Sequence, residues 1–172
     1  MEFFEVIKKR HSVRRFDSSK EVTEEQIEQI LEAGQLAPSA RNLQDWFFVV
    51  VKDPKFKTQM VDACSGQNFV GEASVIIIVC SDKRLADTHS TRHGPDFFTI
   101  QDTAIATQQI WLAITALGLG TCWIGAFDEE EVKRVLKLKD YLRPMAVLPI
   151  GYPVKKPSPI SRRKLSEISK KI

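Results

Sequence analysis

Apolar positions along this chain recur with two different periods, and the way the periods alternate predicts an α+β arrangement. Phe3, Phe4 and Ile7 fall at helical spacing, which predicts a short helix closing at or near Arg10. A second helix has its start written out: Thr23 stands as N-cap with Gln26 completing a capping box, and Val22 and Ile27 form a hydrophobic staple. It runs through Ile30 and Leu31 to about Gly34 or Ala37. Phe47 to Val51 is β-branched and aromatic, as a strand is. Asp53 followed by Pro54 opens a helix that carries Phe56, Met60 and Val61 inside. Val75 to Cys80 is apolar without alternation, the pattern of a strand buried on both faces, and belongs in the middle of a sheet.

Beyond it, the polar stretch from Asp82 to Asp96, with Gly94-Pro95 marking a turn, reads as a mobile or substrate-facing loop. Phe98 to Leu117 reads as a helix apolar almost all round, through Ala104, Ile105, Trp111, Leu112, Ile114 and Leu117. It needs cover on every side, and a partner subunit is a candidate for part of it. Thr121 to Phe127 is expected to be a strand, Asp128 with Glu131 caps a helix holding Val132, Val135 and Leu136, and Met145 to Tyr152 is a last strand. The mixture lacks a strict βαβ rhythm, which is why it reads as α+β. Residues 153–172, with Pro153, Pro157 and Pro159, are expected to form an extended C-terminal arm.

Composition narrows the picture. The chain has 172 residues, 43% hydrophobic and 27% charged, enough for one domain spanning 1–172 with a sizeable core. The net charge of +3 is mildly basic, and much of the excess sits in the tail, where Lys155, Lys156, Arg162, Arg163, Lys164, Lys170 and Lys171 face only Glu167. That tail lacks interleaved aromatics and any recognition motif, so no nucleic-acid partner is expected. Three cysteines, Cys64, Cys80 and Cys122, show neither disulfide nor metal spacing and fit a reducing compartment. Cys122 reads as a packed small hydrophobe, since no histidine accompanies it. His89 and His93, near Asp87 and Asp96, are read as solvated loop residues, and no metal is expected. The N-terminus lacks a secretory pattern, so the expected location is cytoplasmic. Thr103 to Phe127 carries no charge, but Gln108, Gln109, Gly118 and Gly120 interrupt it and no basic cluster flanks it. It is read as a buried helix and strand, with no membrane association.

Two polar segments carry the chemistry. Arg10-His11-Ser12-Val13-Arg14-Arg15-Phe16 gathers guanidinium forks and a hydroxyl in one turn-sized stretch, which suits a phosphate. The bland alternative is that arginines near a helix end satisfy its last carbonyls. Pro38-Ser39-Ala40-Arg41-Asn42-Leu43-Gln44-Asp45-Trp46 offers amide and hydroxyl groups of the kind that read a polar ring or a polyol, although by itself it is a plain loop. Gly118 and Gly120 read as a helix C-cap and turn.

These segments, taken in order with Gln67 before Val70 and Ala73, Gly118-Leu119-Gly120-Thr121-Cys122-Trp123-Ile124-Gly125, Leu148-Pro149-Ile150-Gly151-Tyr152-Pro153 and Arg162, resemble the nitroreductase family over essentially the whole chain. The resemblance implies an α+β fold with a central mixed, mostly antiparallel sheet flanked by helices, interlocked as a homodimer with FMN at the interface. Arg10, Ser12 and Arg162 would grip the phosphate with His11 beside them, and Arg14 would lie near the pyrimidine edge of the ring. Arg162 is chosen over Arg163 by its spacing to Leu165 and Ile168. Pro38, Ser39, Ala40 and Asn42 would approach the same flavin from the other subunit, and Gln67 would contribute at the ring or ribityl chain. Ile124 and Gly125 would present backbone N–H groups at N5. The chain departs from the pattern at Asp45, where many members have proline.

The implied activity is reduction of nitroaromatic, quinone or related acceptors by NAD(P)H, with alternate binding at the flavin. No catalytic side chain is required, because the protein supplies position and electrostatics while the cofactor supplies redox chemistry. A guanidinium near N1 and C2=O favours the negatively charged reduced ring. Dehalogenation, flavin reduction or flavin fragmentation, or a non-catalytic flavin sensor, are the alternatives. Neither the acceptor nor the choice of NADH or NADPH is legible.

Overall fold

A computed structural model describes residues 2–88, 95–155 and 160–172. Its frame is a four-stranded sheet of β1 (Trp46–Val51), β2 (Val75–Asp82), β3 (Gly120–Thr121) and β4 (Leu142–Gly151), in the order β1-β2-β4-β3. All three ladders are antiparallel, and among the described residues the parallel element is a single bridge between Ser12 and Thr121. β2 lies between β1 and β4 with all eight residues buried, as its unbroken apolar run requires.

The twofold period of β2 divides the core in two. Ile76, Ile78 and Cys80 enter one cluster with Met60 of α3 (Pro54–Ala63) and with Val132 and Val135 of α7 (Glu129–Leu136). Val75, Ile77 and Val79 enter the other, with Ile27 and Ile30 of α2 (Glu24–Gln35) and Ile110 and Ile114 of α6 (Pro95–Ala116). Each fully buried Ile or Val adds about 1.5–3 kcal/mol, so the sheet is held from both faces. Helix starts follow the local signals: Thr23 and Gln26 form the capping box, Asp53 accepts from the Lys55 N–H ahead of Pro54, and Asp128 accepts from the Glu131 N–H. α1 (Phe3–Lys9) ends at Arg10, whose N–H donates to the Val6 carbonyl.

Four expectations change. The strand expected over Thr121 to Phe127 is confined to Gly120–Thr121, followed by an isolated bridge in which Ile124 and Val147 exchange both backbone hydrogen bonds, at 3.0 and 3.1 Å. Hydrogen-bonded pairs alternate along an antiparallel ladder, so the next such pair is Cys122 with Pro149, and Pro149 has no N–H to give. The last strand begins at Leu142 instead of Met145, and a register shift at Val79/Cys80, between the pairs Val79–Ala146 and Cys80–Pro144, leaves Met145 as the extra residue. The expected loop after Asp82 opens with α5 (Lys83–Ala86), capped by the Asp82 side chain at the Arg84 N–H, and α6 already begins at Pro95. His89, His93 and Gly94 lie outside the described residues, as do Lys156, Pro157 and Pro159.

The fourth change concerns glycine. Gly118, at φ 76°, does close α6, but Gly120 is a strand residue whose added Cβ would stand 2.7 Å from Val13. It is there for close approach, as is Gly151, where a Cβ would meet Phe16 at 3.0 Å. Among the described residues no helix is long and apolar enough to cross a membrane.

Candidate cofactor-binding site

The first polar segment is laid onto the β3–β4 edge. The Val13 N–H donates to the Thr121 carbonyl at 2.8 Å, and the Asp17 N–H donates to the Tyr152 carbonyl at 2.8 Å. Phe16 bridges Pro153, while the two glycines let Val13 and Phe16 sit directly on the sheet. The backbone is thus fixed on both sides of Ser12 and Arg14. Val13 and Phe16 point inward and are buried, whereas Arg14 and Arg15 are exposed. His11 turns back, with Nδ1 2.7 Å from the Lys9 carbonyl, which it reaches as a donor.

Arg10 crosses to α6, its guanidinium carbon 4.5 Å from the centroid of the Trp111 ring. Partial burial, and then the neighbouring charge of Arg162, hold its pKa below the ordinary arginine value. Arg162 therefore stands close enough to repel Arg10, and among the described residues neither guanidinium pairs with a carboxylate. Arg162 donates only to the carbonyls of Ile160 and Ser161, whereas Arg163 reaches the Glu167 carboxylate and carbonyl. A phosphate has oxygens able to accept from guanidinium forks of this kind.

The backbone donor expected at 124–125 is only half available. The N–H of Ile124 is spent on Val147, so this residue cannot supply the donor expected at the flavin's N5; its buried side chain packs in the core instead. Gly125 follows it at the surface, and among the described residues its N–H makes no backbone hydrogen bond. Gln67 lies beyond a turn formed by Ser65 (φ 58°) and Gly66 (φ 73°), and its side-chain amide donates to the Cys64 carbonyl at 2.8 Å. Cys64 shares the apolar cluster of Ile124, and burial pushes its thiol up to about 11, which makes it inert.

The second polar segment is built differently. Ala40–Asn42 forms a 3-10 turn, and Arg41, Asn42 and Gln44 all take positive φ, at 56°, 56° and 52°. Non-glycine residues hold such angles only where their surroundings impose them. Here the Ser39 hydroxyl accepts from the Gln44 N–H at 2.9 Å, and Asp102 of α6 accepts from the Ala40 N–H at 3.0 and 3.1 Å. The fully buried Asp45 accepts the hydroxyl of Thr99, also on α6, and its carbonyl accepts from the Asp82 N–H at 2.8 Å. At the position where proline would stiffen the loop, a carboxylate keys it to a helix. Pro38 and Asn42 remain exposed and Ser39 and Ala40 half-buried, which leaves them facing outward.

The two segments do not meet within one chain. Asp102, which holds the loop, and Trp111, which holds Arg10, are nine residues apart on α6. That is about 14 Å along the axis and half a turn around it, so the segments lie on opposite sides of the helix. Trp111, Asp102 and Asp45 were not singled out as site residues by sequence. The signal for the last two was present in Thr99, Asp102 and Thr103, a polar i, i+3, i+4 stripe inside an apolar helix.

Comparison with known proteins identifies relatives. The family model described as the nitroreductase family matches residues 7–74 and 63–152. A Methanothermobacter thermautotrophicus protein with the provisional name NADH dehydrogenase/NAD(P)H nitroreductase is 35% identical over 161 residues, covering 91% of this chain and 80% of that one. The FMN reductase (NAD(P)H) of Bacillus subtilis is 32% identical over 155 residues, 83% of this chain and 62% of its own. The crystal structure of a provisionally named nitroreductase from Exiguobacterium sibiricum in complex with FMN superposes with a TM-score of 0.92. It covers 100% of this chain and 98% of its own, and at 22% identity this likeness establishes the fold.

Proposed function

The chain belongs to the nitroreductase family, and on that premise we propose that it is an FMN-dependent oxidoreductase that uses NAD(P)H to reduce nitroaromatic, quinone or related acceptors. The observation that carries the cofactor assignment is Arg10, whose guanidinium lies over the Trp111 ring with no carboxylate partner among the described residues and feels the repulsion of Arg162's charge. A phosphate relieves that repulsion and takes up the open forks. When bound, FMN supplies the hydride chemistry that links the nicotinamide to the acceptor.

The protein's part is positional. Arg10 and Arg162 hold the phosphate, with Ser12 adding a hydroxyl and His11 flanking them. Gly125 offers its N–H to the ring edge in place of the committed Ile124, Arg14 places positive charge by the pyrimidine, and Gln67 lies toward the ring or ribityl chain. No side chain has to exchange a proton for the redox step to proceed.

The second wall comes from a second copy. Pro38, Ser39, Ala40 and Asn42 cannot reach the Arg10 side of α6 in their own chain, and the molecule carries surfaces suited to a homodimer. Phe3, Val6, Leu36, Leu112 and Ala113 line an apolar groove of about 460 Å³, and Phe3, Phe4 and Leu36 are 61%, 71% and 78% exposed. β1 is an open sheet edge, which soluble proteins normally cover, and residues 160–172 are exposed throughout, including Ile160, Leu165 and Ile168. The three buried, free thiols fit the cytoplasm.

The test is a visible spectrum of the purified protein, taken anaerobically before and after NADH or NADPH is added. A flavin spectrum that bleaches with either nucleotide and returns with a nitroaromatic or quinone is expected. Protein that takes up no FMN sinks the proposal, and bound FMN that neither nucleotide reduces turns it toward a flavin sensor.

A further inference from the structure

We propose that Trp111 is a positioning residue for the phosphate-binding fork of Arg10: its indole face fixes and stabilises the guanidinium without occupying any of its N–H donors. The inference rests on the FMN reading above.

Arginine has a long, flexible side chain, and its backbone anchor at the end of α1 does not by itself aim the fork. Within this site the charge is also disfavoured twice, by partial loss of water and by Arg162. Something must offset those costs before ligand arrives. A carboxylate would do so, but it would take the same bidentate geometry that a phosphate needs and would compete with it. An aromatic face attracts the cation through its quadrupole and leaves the in-plane donors open. Trp111 is 8% exposed and sits on α6, the rigid helix that packs against α1 and the core, so the platform itself does not move. At 4.5 Å from guanidinium carbon to ring centroid, the stacking lies well within the range of a cation–π contact.

A structural role would lower affinity for any flavin alike; a role through Arg10 lowers affinity for the phosphate alone. The experiment therefore measures dissociation constants for FMN and for riboflavin, which lacks the phosphate, in the wild type, Trp111→Leu, Trp111→Phe and the Arg10→Ala/Trp111→Leu double variant. The expected result is a two- to thirtyfold loss of FMN preference over riboflavin in Trp111→Leu, on the order of one cation–π contact. Trp111→Phe, which keeps an aromatic face, should recover most of it, and Trp111→Leu should change nothing further once Arg10 is alanine.

Equal losses for both ligands in Trp111→Leu, or an unchanged preference, overturn the inference. If Trp111→Leu does not fold, Trp111→Phe and Trp111→Met decide: equal preference in the two variants overturns it, and a preference kept by Phe but lost by Met supports it. A wild type that binds FMN no better than riboflavin overturns the phosphate assignment itself, and this inference with it. A wild type that prefers FMN, beside a Trp111→Leu with the same preference, overturns this inference alone.

Discussion

Arg10 and Arg84 each lie flat against an aromatic ring, 4.5 Å from the centroid of Trp111 and 3.7 Å from that of Tyr141, but they spend their donors differently. Arg84 gives Nε to the Asp82 carboxylate at 2.9 Å and bonds its other oxygen through Nη2, so its fork is closed. Arg143, in the same region, closes on Glu129 with two 3.0 Å bonds. Arg10 has the aromatic ring, a second cation and no carboxylate among the described residues. The first arrangement completes itself within the fold and ties α5, α7 and β4 together; the second is complete only with a ligand. On the proposed reading, chemically similar arginines serve stability in one region and binding in the other, and what separates them is the acid nearby.

The comparison is broken most directly by exchanging the losses. Arg10→Ala should weaken FMN binding about ten- to a hundredfold, the worth of charge-assisted hydrogen bonds, with little change in the thermal midpoint. Arg84→Ala should do the reverse, lowering the midpoint because Asp82, only 5% exposed, loses its partner, and leaving FMN affinity intact. Equilibrium flavin titration beside thermal unfolding checks both. A Arg10→Ala protein with wild-type FMN affinity would remove that residue from the phosphate site.

Acid sharpens the same contrast. The Arg84 hydrogen bond holds the Asp82 carboxyl below the usual carboxylate range, and the Arg143 hydrogen bond does the same for Glu129. A carboxyl whose folded pKa is depressed contributes stability that is fully present above its unfolded value, about 3.9 for Asp and 4.3 for Glu, and is lost as pH falls through the folded value. The gap in thermal midpoint between wild type and Arg84→Ala should therefore be widest near neutrality, start to narrow as pH falls below about 4, and keep narrowing as it falls through the folded value. A gap that stays constant as pH falls would mean that Arg84 acts through packing on Tyr141 instead of through its charge.

A third change tests the loop, the half of the site with no arginine fork. Asp102→Ala leaves the Ala40 N–H without its carboxylate acceptor, at a cost of about 1–3 kcal/mol, and loosens a loop that holds three positive-φ residues. FMN and riboflavin affinities should both fall, by about fivefold or more and in the same proportion, because the loop is placed at the ring and ribityl side. A loss confined to FMN would instead move the loop to the phosphate. Paired with Trp111→Leu, this variant separates the two walls of the site by what each one reads.

What the sequence made legible was local. Thr23 with Gln26, Asp53 with Pro54 and Asp128 with Glu131 each signal a helix start within four residues, and all three caps form. The buried run at 75–80 likewise carried its own evidence for a central strand. The site residues Arg10, Ser12 and Arg162 come from the ordered motifs of a family, and Arg162's charge is felt at Arg10. The misses depended on partners far along the chain. β3 is short because Cys122 would have to pair with Pro149, and neither residue announces the other. Gly120 resembles a turn glycine until Val13 is seen against it. Trp111 resembles one more apolar residue of a buried helix, and only the path of Arg10 across α6 makes it part of the site. The family resemblance implies a free N–H at Ile124, and its bond to Val147, an isolated bridge 23 residues along the chain, is not written in the local sequence.

The smallest expected effect separates two adjacent residues. Arg162 and Arg163 carry the same side chain, and both are exposed. Arg163 already holds Glu167, through a 3.5 Å contact to its carboxylate and a 2.9 Å bond to its carbonyl, so it repeats in the arm what Arg84 does beside the sheet. Among the described residues Arg162 bonds the neighbouring backbone carbonyls of Ile160 and Ser161, and its charge is felt at Arg10. An exposed charge in salt solution is worth little, so Arg162→Ala should weaken FMN binding only about two- to fivefold, with the loss shrinking as salt is raised. Arg163→Ala should leave FMN affinity unchanged at any salt concentration. If the two variants behave alike, the arm contributes a diffuse positive field instead of a directed ligand, and the contrast between open and closed guanidiniums stops at the folded core.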